Sequence, residues 1–168
     1  MANQGRCKFC DKEGLLIDAH IIAKGFYRKE RDLHFAVVNM TKADRPHRSQ
    51  KGLWDDTILC ETCEARFASI DDYAVKNLYR RRIEASPFGQ NGNVYLDRNG
   101  GPLALSLPWI DGERIVFFAL FVLWRAGVSS REECKRVVLG PFLEKVRAVL
   151  DANTLSSANG IHVTLWWE

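Results

Sequence analysis

The sequence predicts an α+β chain, and three observations carry that prediction. Two Cys-x-x-Cys pairs, Cys7/Cys10 and Cys60/Cys63, bracket a half with short apolar runs of strand composition. Two further runs, Val94-Tyr95-Leu96 and residues 103–107, surround the turn sequence Asp97-Arg98-Asn99-Gly100-Gly101 as the arms of a hairpin do. Beyond the hairpin, apolar residues recur at helical spacing to Ala126 and again to Leu150.

In chain order, residues 7–14 read as a tight turn ended by Gly14. Leu15-Leu16-Ile17 is a short strand that ends near Asp18-Ala19-His20. Residues 21–31 begin as a loop and become a short helix, and residues 33–38 have strand composition. From 39 to 56 the chain is polar and punctuated by Pro and Gly, the pattern of a long loop. Thr57-Ile58-Leu59 leads into the second cysteine pair. A helix is expected from there to about residue 82, because Phe67, Ile70, Tyr73, Ala74 and Leu78 keep helical spacing. Residues 86–92 form the linker, dividing the chain into segments 1–85 and 86–168. Asp111-Gly112 opens a very apolar helix over residues 113–126. Ser129-Ser130 with Glu132-Glu133 starts a second, and Gly140-Pro141 stops it and starts a third that runs to Leu150. Residues 161–167 read as a terminal strand.

The 168 residues are 46% hydrophobic and 27% charged, which sets aside a disordered chain. Met1 to Arg6 has no apolar core, so no signal peptide is expected. The longest apolar stretch, residues 115–124, falls short of the roughly 20 residues of a membrane span. A cytoplasmic chain with reduced thiols is therefore the expectation. The formal charge of +3 is unevenly placed. Residues 1–83 hold 16 basic and 12 acidic side chains, a net of +4, whereas residues 84–168 hold 8 and 9, a net of −1. Between His20 and Gly52, Lys24, Arg28, Lys29, Arg31, Lys42, Arg45, Arg48 and Lys51 face only Glu30, Asp32 and Asp44. A phosphate-binding surface and an ordinary solvated loop account equally well for that excess on charge alone.

Five cysteines exclude a fully paired disulfide framework. A Cys-x-x-Cys turn puts two sulfurs on one side, at two corners of a tetrahedron, and two such turns complete a closed structural Zn²⁺ site. Cys7, Cys10, Cys60 and Cys63 are the ligands so predicted. A redox dithiol is the remote alternative, because the strand context of such motifs is missing. Cys134 is left over and is expected half-buried on a helix. His34 reads as a structural strand residue, His162 as a surface strand position, and His47 as a loop residue within reach of a phosphate. Arg80-Arg81-Arg82 suit the C-terminal end of a helix dipole.

Over residues 7–75 the pattern resembles the treble-clef, or ββα-metal, module of HNH nucleases with four zinc cysteines, the endonuclease VII type among them. The residues that carry the resemblance are Cys7/Cys10, then Leu16-Ile17-Asp18-Ala19-His20-Ile21-Ile22, then Ile58-Leu59-Cys60-Glu61-Thr62-Cys63-Glu64. It implies a zinc-bound module followed by a β-hairpin and a mainly helical C-terminal half packed on it. It also implies that His20 is the general base activating water, with one Mg²⁺ or Mn²⁺ beside the phosphate. Two positions depart from the family pattern. Ala19 stands where Asp is common, and Glu64 stands where Asn or His usually follows the second knuckle. The central Asn of the family matches Asp55 by offset, so His20, Glu64 and Asp55 make up the implied site. Nucleic acid, DNA foremost, is the implied partner, with Lys24, Arg28, Lys29, Arg45, Arg48 and Lys51 bordering the His20 pocket. The competing reading keeps the zinc and the basic face in a non-catalytic module that binds nucleic acid or a protein. The C-terminal half carries no recognisable chemistry. Its Trp166-Trp167 pair marks it as the segment through which a second copy or a protein partner would bind.

Overall fold

The turn that carries the first cysteine pair is the bend of an antiparallel ribbon. A computed structural model describes residues 3–27, 36–37, 47–48, 52–80, 93–96, 98, 102–106 and 110–155. Strand β1 (Asn3–Arg6) pairs with β2 (Glu13–Leu16) in the register Asn3↔Leu16 to Arg6↔Glu13. Between them the Asp11 N–H bonds the Cys7 carbonyl at 2.8 Å, and the Cys7 N–H bonds that of Lys12 at 2.9 Å. Asp11 sits at φ +63°, a left-handed conformation that Asp tolerates better than most side chains.

Two residues further on, β3 (Ala19–His20) pairs antiparallel with β6 (Trp54–Asp55), with Ala19 opposite Asp55 and His20 opposite Trp54. A 3₁₀ turn, Lys24–Tyr27, follows β3, where a short helix is expected. The stretch 39–56, expected as loop throughout, contains β5 (His47–Arg48), which pairs with β4 (Ala36–Val37), and β6. Two-residue strands are too short to show a hydrophobic period, which is why they read as loop.

Cys60 starts helix α1 (Glu61–Ala74) with extended backbone at φ −82°, ψ 162°. Cys63, Phe67, Ile70 and Ala74 form its buried stripe at i, i+4, i+7 and i+11. The helix then widens into a π turn, Val75–Arg80, where buried Asn77 donates its side-chain amide to the Tyr73 carbonyl at 2.9 Å. The expected hairpin is present as β7 (Asn93–Leu96) against β8 (Pro102–Ser106). Helix α2 (Gly112–Val128) is capped by Asp111, whose carboxylate accepts from the Arg114 N–H at 3.2 Å. The helix expected after Ser129 is only a 3₁₀ turn, Glu132–Cys134, and buried Cys134 lies on it. Helix α3 (Phe142–Ala152) ends at Asn153 with φ +50°, a left-handed stop. The linker at 86–92, the terminal strand at 161–167, His34 and His162, and Arg81 and Arg82 lie outside the described residues. The fold is thus mixed α and β, with small two-stranded sheets and three helices among the described residues. Among the same residues no helix is long and apolar enough to cross a membrane.

One apolar core joins the parts. Phe9, from the first cysteine turn, meets Phe67 of α1 and Trp124 of α2 edge-on, each with 5.2 Å between ring centroids. Phe67 stacks on Phe121 at 3.9 Å. Fully burying a side chain of this size contributes roughly 1.5–3 kcal/mol, so this cluster is a principal link between the cysteine turn and the helices. Polar ties reinforce it. Lys8 donates to the Val128 carbonyl at 2.7 Å, and Arg66 of α1 pairs with Asp151 of α3 at 2.8 Å. Arg125 of α2 is fully buried, lies over the Phe121 ring at 4.0 Å and makes a two-pronged pair with Asp71 at 3.0 Å per bond.

Candidate metal centre and the His20 ribbon

The four cysteines predicted as ligands converge. Their sulfurs all lie within 4.8 Å of one another, and Cys10 Sγ is 3.9 Å from Cys60 Sγ. Tetrahedral zinc with Zn–S bonds near 2.3 Å needs sulfur–sulfur edges of about 3.8 Å, so the cluster has the dimensions to hold a metal ion such as zinc. The backbone sets this up at both ends. Lys8 N–H bonds the Ile58 carbonyl at 2.9 Å, and Ile17 N–H bonds that of Leu59 at 3.0 Å, laying the first turn against the start of α1. Burial pushes the Cys7 thiol up, but backbone N–H groups of Cys10, Cys60 and Phe9 outweigh it and bring it down to about 7. Burial, with hydrogen bonding among the sulfurs next, pushes Cys63 up. Four thiolates held this close repel one another, and a divalent cation removes that cost. With all four corners filled by protein, the centre has no open position for chemistry.

His20 stands on the neighbouring ribbon. Residues directly opposite in an antiparallel pair share a face, and adjacent residues alternate faces. Ala19 and Asp55 therefore face one way, and both are buried. His20 and Trp54 face the other way and are partly exposed. The Tyr27 ring lies 6.5 Å from His20, and it is held there by Gly52. At φ +78° that glycine leaves no room for a Cβ, which would stand 2.4 Å from the Tyr27 ring.

Asp55 is accordingly not brought together with His20. Its Oδ1 accepts from the Thr57 N–H at 2.9 Å and the Thr57 hydroxyl at 2.6 Å, and its Oδ2 accepts from the Ser129 hydroxyl at 2.6 Å. Burial alone would raise its pKa, but these bonds and the Arg131 charge more than offset that and hold the carboxyl below its ordinary value. It is the anchor between the ribbon and the segment after α2.

Glu64 occupies the first turn of α1, one residue after Cys63. Its Oε2 is buried without a hydrogen-bond partner among the described residues. Burial raises its pKa, the Arg125 guanidinium partly offsets that, and the Asp71 carboxylate adds to it. Lys24 is exposed on the 3₁₀ turn after His20. Arg48 lies on β5, and Arg28, Lys29, Arg45 and Lys51 fall outside the described residues.

Three neighbours of this region carry no sequence signal as site residues. Trp54 comes from a two-residue strand. Arg125 is buried in a helix that reads as purely apolar. Arg131 follows α2 and places its guanidinium 4.6 Å above the Trp54 ring. Compared with protein-family models, curated proteins and solved structures, the chain matches none.

Proposed function

We propose that this chain is a metal-dependent, HNH-like endonuclease that hydrolyses phosphodiester bonds of nucleic acid, with His20 as the general base. The observation that carries the reading is an order of parts. A cysteine turn precedes a strand that ends in His20, that strand pairs antiparallel with a second, and the second cysteine pair then opens α1 within sulfur contact of the first. We read this as a treble-clef, ββα-metal module in which zinc at the four cysteines fixes the ribbon against α1. His20 is only partly buried, and imidazole is the side chain chemically suited to taking a proton from water under physiological conditions. The Tyr27 ring lies 6.5 Å from the His20 ring, and Trp54 stands opposite His20 on the same face of the ribbon. A bound Mg²⁺ or Mn²⁺ would supply Lewis-acid stabilisation of the phosphate charge. Of the two carboxylates expected to hold it, Asp55 does not fit, because it is buried on the ribbon face opposite His20 and bonded there to Thr57 and Ser129. Glu64 has an oxygen without a hydrogen-bond partner among the described residues.

The locked Asp55, together with apolar Ala19, favours a second reading: a zinc module that binds nucleic acid or a protein without cutting. Incubation of plasmid and branched DNA with Mg²⁺ or Mn²⁺ separates the two. Wild type is expected to cleave, and His20→Ala to lose about 10²–10⁴ in rate at unchanged metal content. Intact substrate with wild type, or equal cleavage by the variant, rejects the nuclease reading.

A further inference from the structure

The strongest unassigned arrangement lies on the His20 side of the β3–β6 ribbon. Trp54 is directly opposite His20, so the two side chains stand about 5 Å apart at their Cβ atoms on one face. Over the indole lies the Arg131 guanidinium, 4.6 Å from the ring. The placement of Arg131 is determined by buried structure. Asp55, on the opposite face of the same strand, accepts the Ser129 hydroxyl, and Ser129 Oγ accepts the Arg131 N–H at 3.2 Å. The Arg131 carbonyl then accepts the Cys134 N–H at 3.0 Å, closing the 3₁₀ turn. A residue 77 positions away from Trp54 in sequence is thereby fixed onto it. Its side chain remains 38% exposed, and among the described residues its ion pair is with Asp56, whose side chain is 41% exposed, at 3.7 Å. An exposed pair at that separation holds weakly and yields to a better acceptor.

We propose that Arg131, shelved on Trp54, is a phosphate-binding residue that positions a nucleic-acid strand across His20. A guanidinium seated over a ring makes no hydrogen bond to it, so its N–H groups remain available to two oxygens of one phosphodiester. Trp54 acts through Arg131 as a positioning residue. Asp56 is the acceptor that the phosphate displaces. The inference rests on the nucleic-acid partner of the proposed function, but its test reads binding and does not require cleavage.

The experiment is fluorescence anisotropy of labelled single-stranded and duplex DNA with the full-length, zinc-loaded protein. It is run over a salt series without added Mg²⁺, with inorganic phosphate as competitor. Arg131→Ala is expected to weaken binding roughly tenfold and to lower the slope of log affinity against log salt by about one ion. Arg131→Lys should restore the slope but not the affinity, because an ammonium lacks the planar edge. Trp54→Leu should weaken binding about fivefold with the slope intact, since the charge remains. Asp56→Asn should tighten binding. A merely structural pair would move thermal stability and leave these slopes alone, and circular dichroism with metal analysis verifies the fold of each variant. If wild type binds no DNA, or if Arg131→Ala leaves both affinity and slope unchanged, the assignment is overturned. If inorganic phosphate at the same phosphate concentration competes fully with DNA, the site takes a free anion and the strand assignment is also overturned. Binding with these shifts but without cleavage would uphold Arg131 while removing the nuclease, and cleavage with an unmoved Arg131→Ala would do the reverse.

Discussion

The cysteine cluster and helix α2 hold their surroundings by different means. Around the cysteines the chain is short-stranded, with β1, β2, β3 and β6 amounting to two small ribbons that bury Phe9, Leu16, Ile58 and Leu59 among them. Such ribbons are not stable alone, and bringing four sulfurs within 4.8 Å is of use only if something binds them. Helix α2 needs no such aid. Ile115, Phe117, Phe118, Leu120, Phe121 and Trp124 are buried along it, so its cohesion is apolar area. The two regions meet at Phe9, whose ring belongs to the cysteine turn and whose partners are Phe67 and Trp124. A metal ion at the four cysteines would therefore shape the ribbon that carries His20, while the C-terminal helices provide the floor on which it rests.

The largest effect should come from the metal side. Chelation, or Cys63→Ser, is expected to abolish metal binding and lower the thermal midpoint more than any other change described. The scale is set by structural zinc in small modules, where apparent binding energies reach about 10–16 kcal/mol and appear as folding energy. Acidification should release the metal, because protons compete for the thiolates. Metal content by mass spectrometry and thermal unfolding before and after chelation measure this. A midpoint that survives chelation would mean that the Phe9–Phe67–Trp124 cluster alone holds the ribbons, and the contrast between regions would fail.

A smaller effect is expected on the other side of the comparison. Asp71→Ala leaves Arg125 charged, fully buried and without its partner, which costs about 3–5 kcal/mol. Replacing both, as Asp71→Leu with Arg125→Met, should recover most of the loss, because the pair repays little more than its own desolvation. Chemical denaturation with metal analysis tests whether both variants keep the bound ion. Loss of metal in Asp71→Ala would show that the two regions are one energetic unit.

What could be read from the sequence follows the same division. The four clustered cysteines were legible because a Cys-x-x-Cys turn is local geometry written in four letters, and α2 was legible because seventeen residues give a period room to repeat. The ribbon of β3 and β6 was half legible. His20 ends an apolar run, but Trp54 and Asp55 form a strand of two residues in a polar stretch, where no alternation can show. Asp55 was matched to the His20 site by its offset from Cys60. Its burial against Ser129 depends on a contact across 74 residues, which no spacing rule encodes. The same holds for Arg131 over Trp54 and for Arg125 behind Glu64. In each case the chemistry comes from tertiary placement of the C-terminal half, the half with no motif of its own.

Glu64 is a further point where the two regions act on one another, and it gives the finest test. It follows a cysteine ligand by one residue, yet the charges that act on it are Arg125 and Asp71. Burial raises its folded pKa above the ordinary value, so the folded state holds the proton more tightly than the unfolded chain does. The sign follows: this group's contribution is most favourable below the unfolded value of about 4.5 and is eroded as pH rises through the folded value. Once the group ionises, its Oε2, buried and without a hydrogen-bond partner among the described residues, is a net cost on the order of 1 kcal/mol. Glu64→Gln is therefore expected to raise the thermal midpoint at neutral pH by a few degrees, and the gain should shrink steadily on acidification. Unfolding scans down to about pH 5, confined to points where the metal is still bound, measure it. A gain that is independent of pH, or a loss at neutral pH, would mean that Arg125 compensates Glu64 fully. The carboxylate would then belong to the helical floor and would have no charge to spare for a cation beside His20.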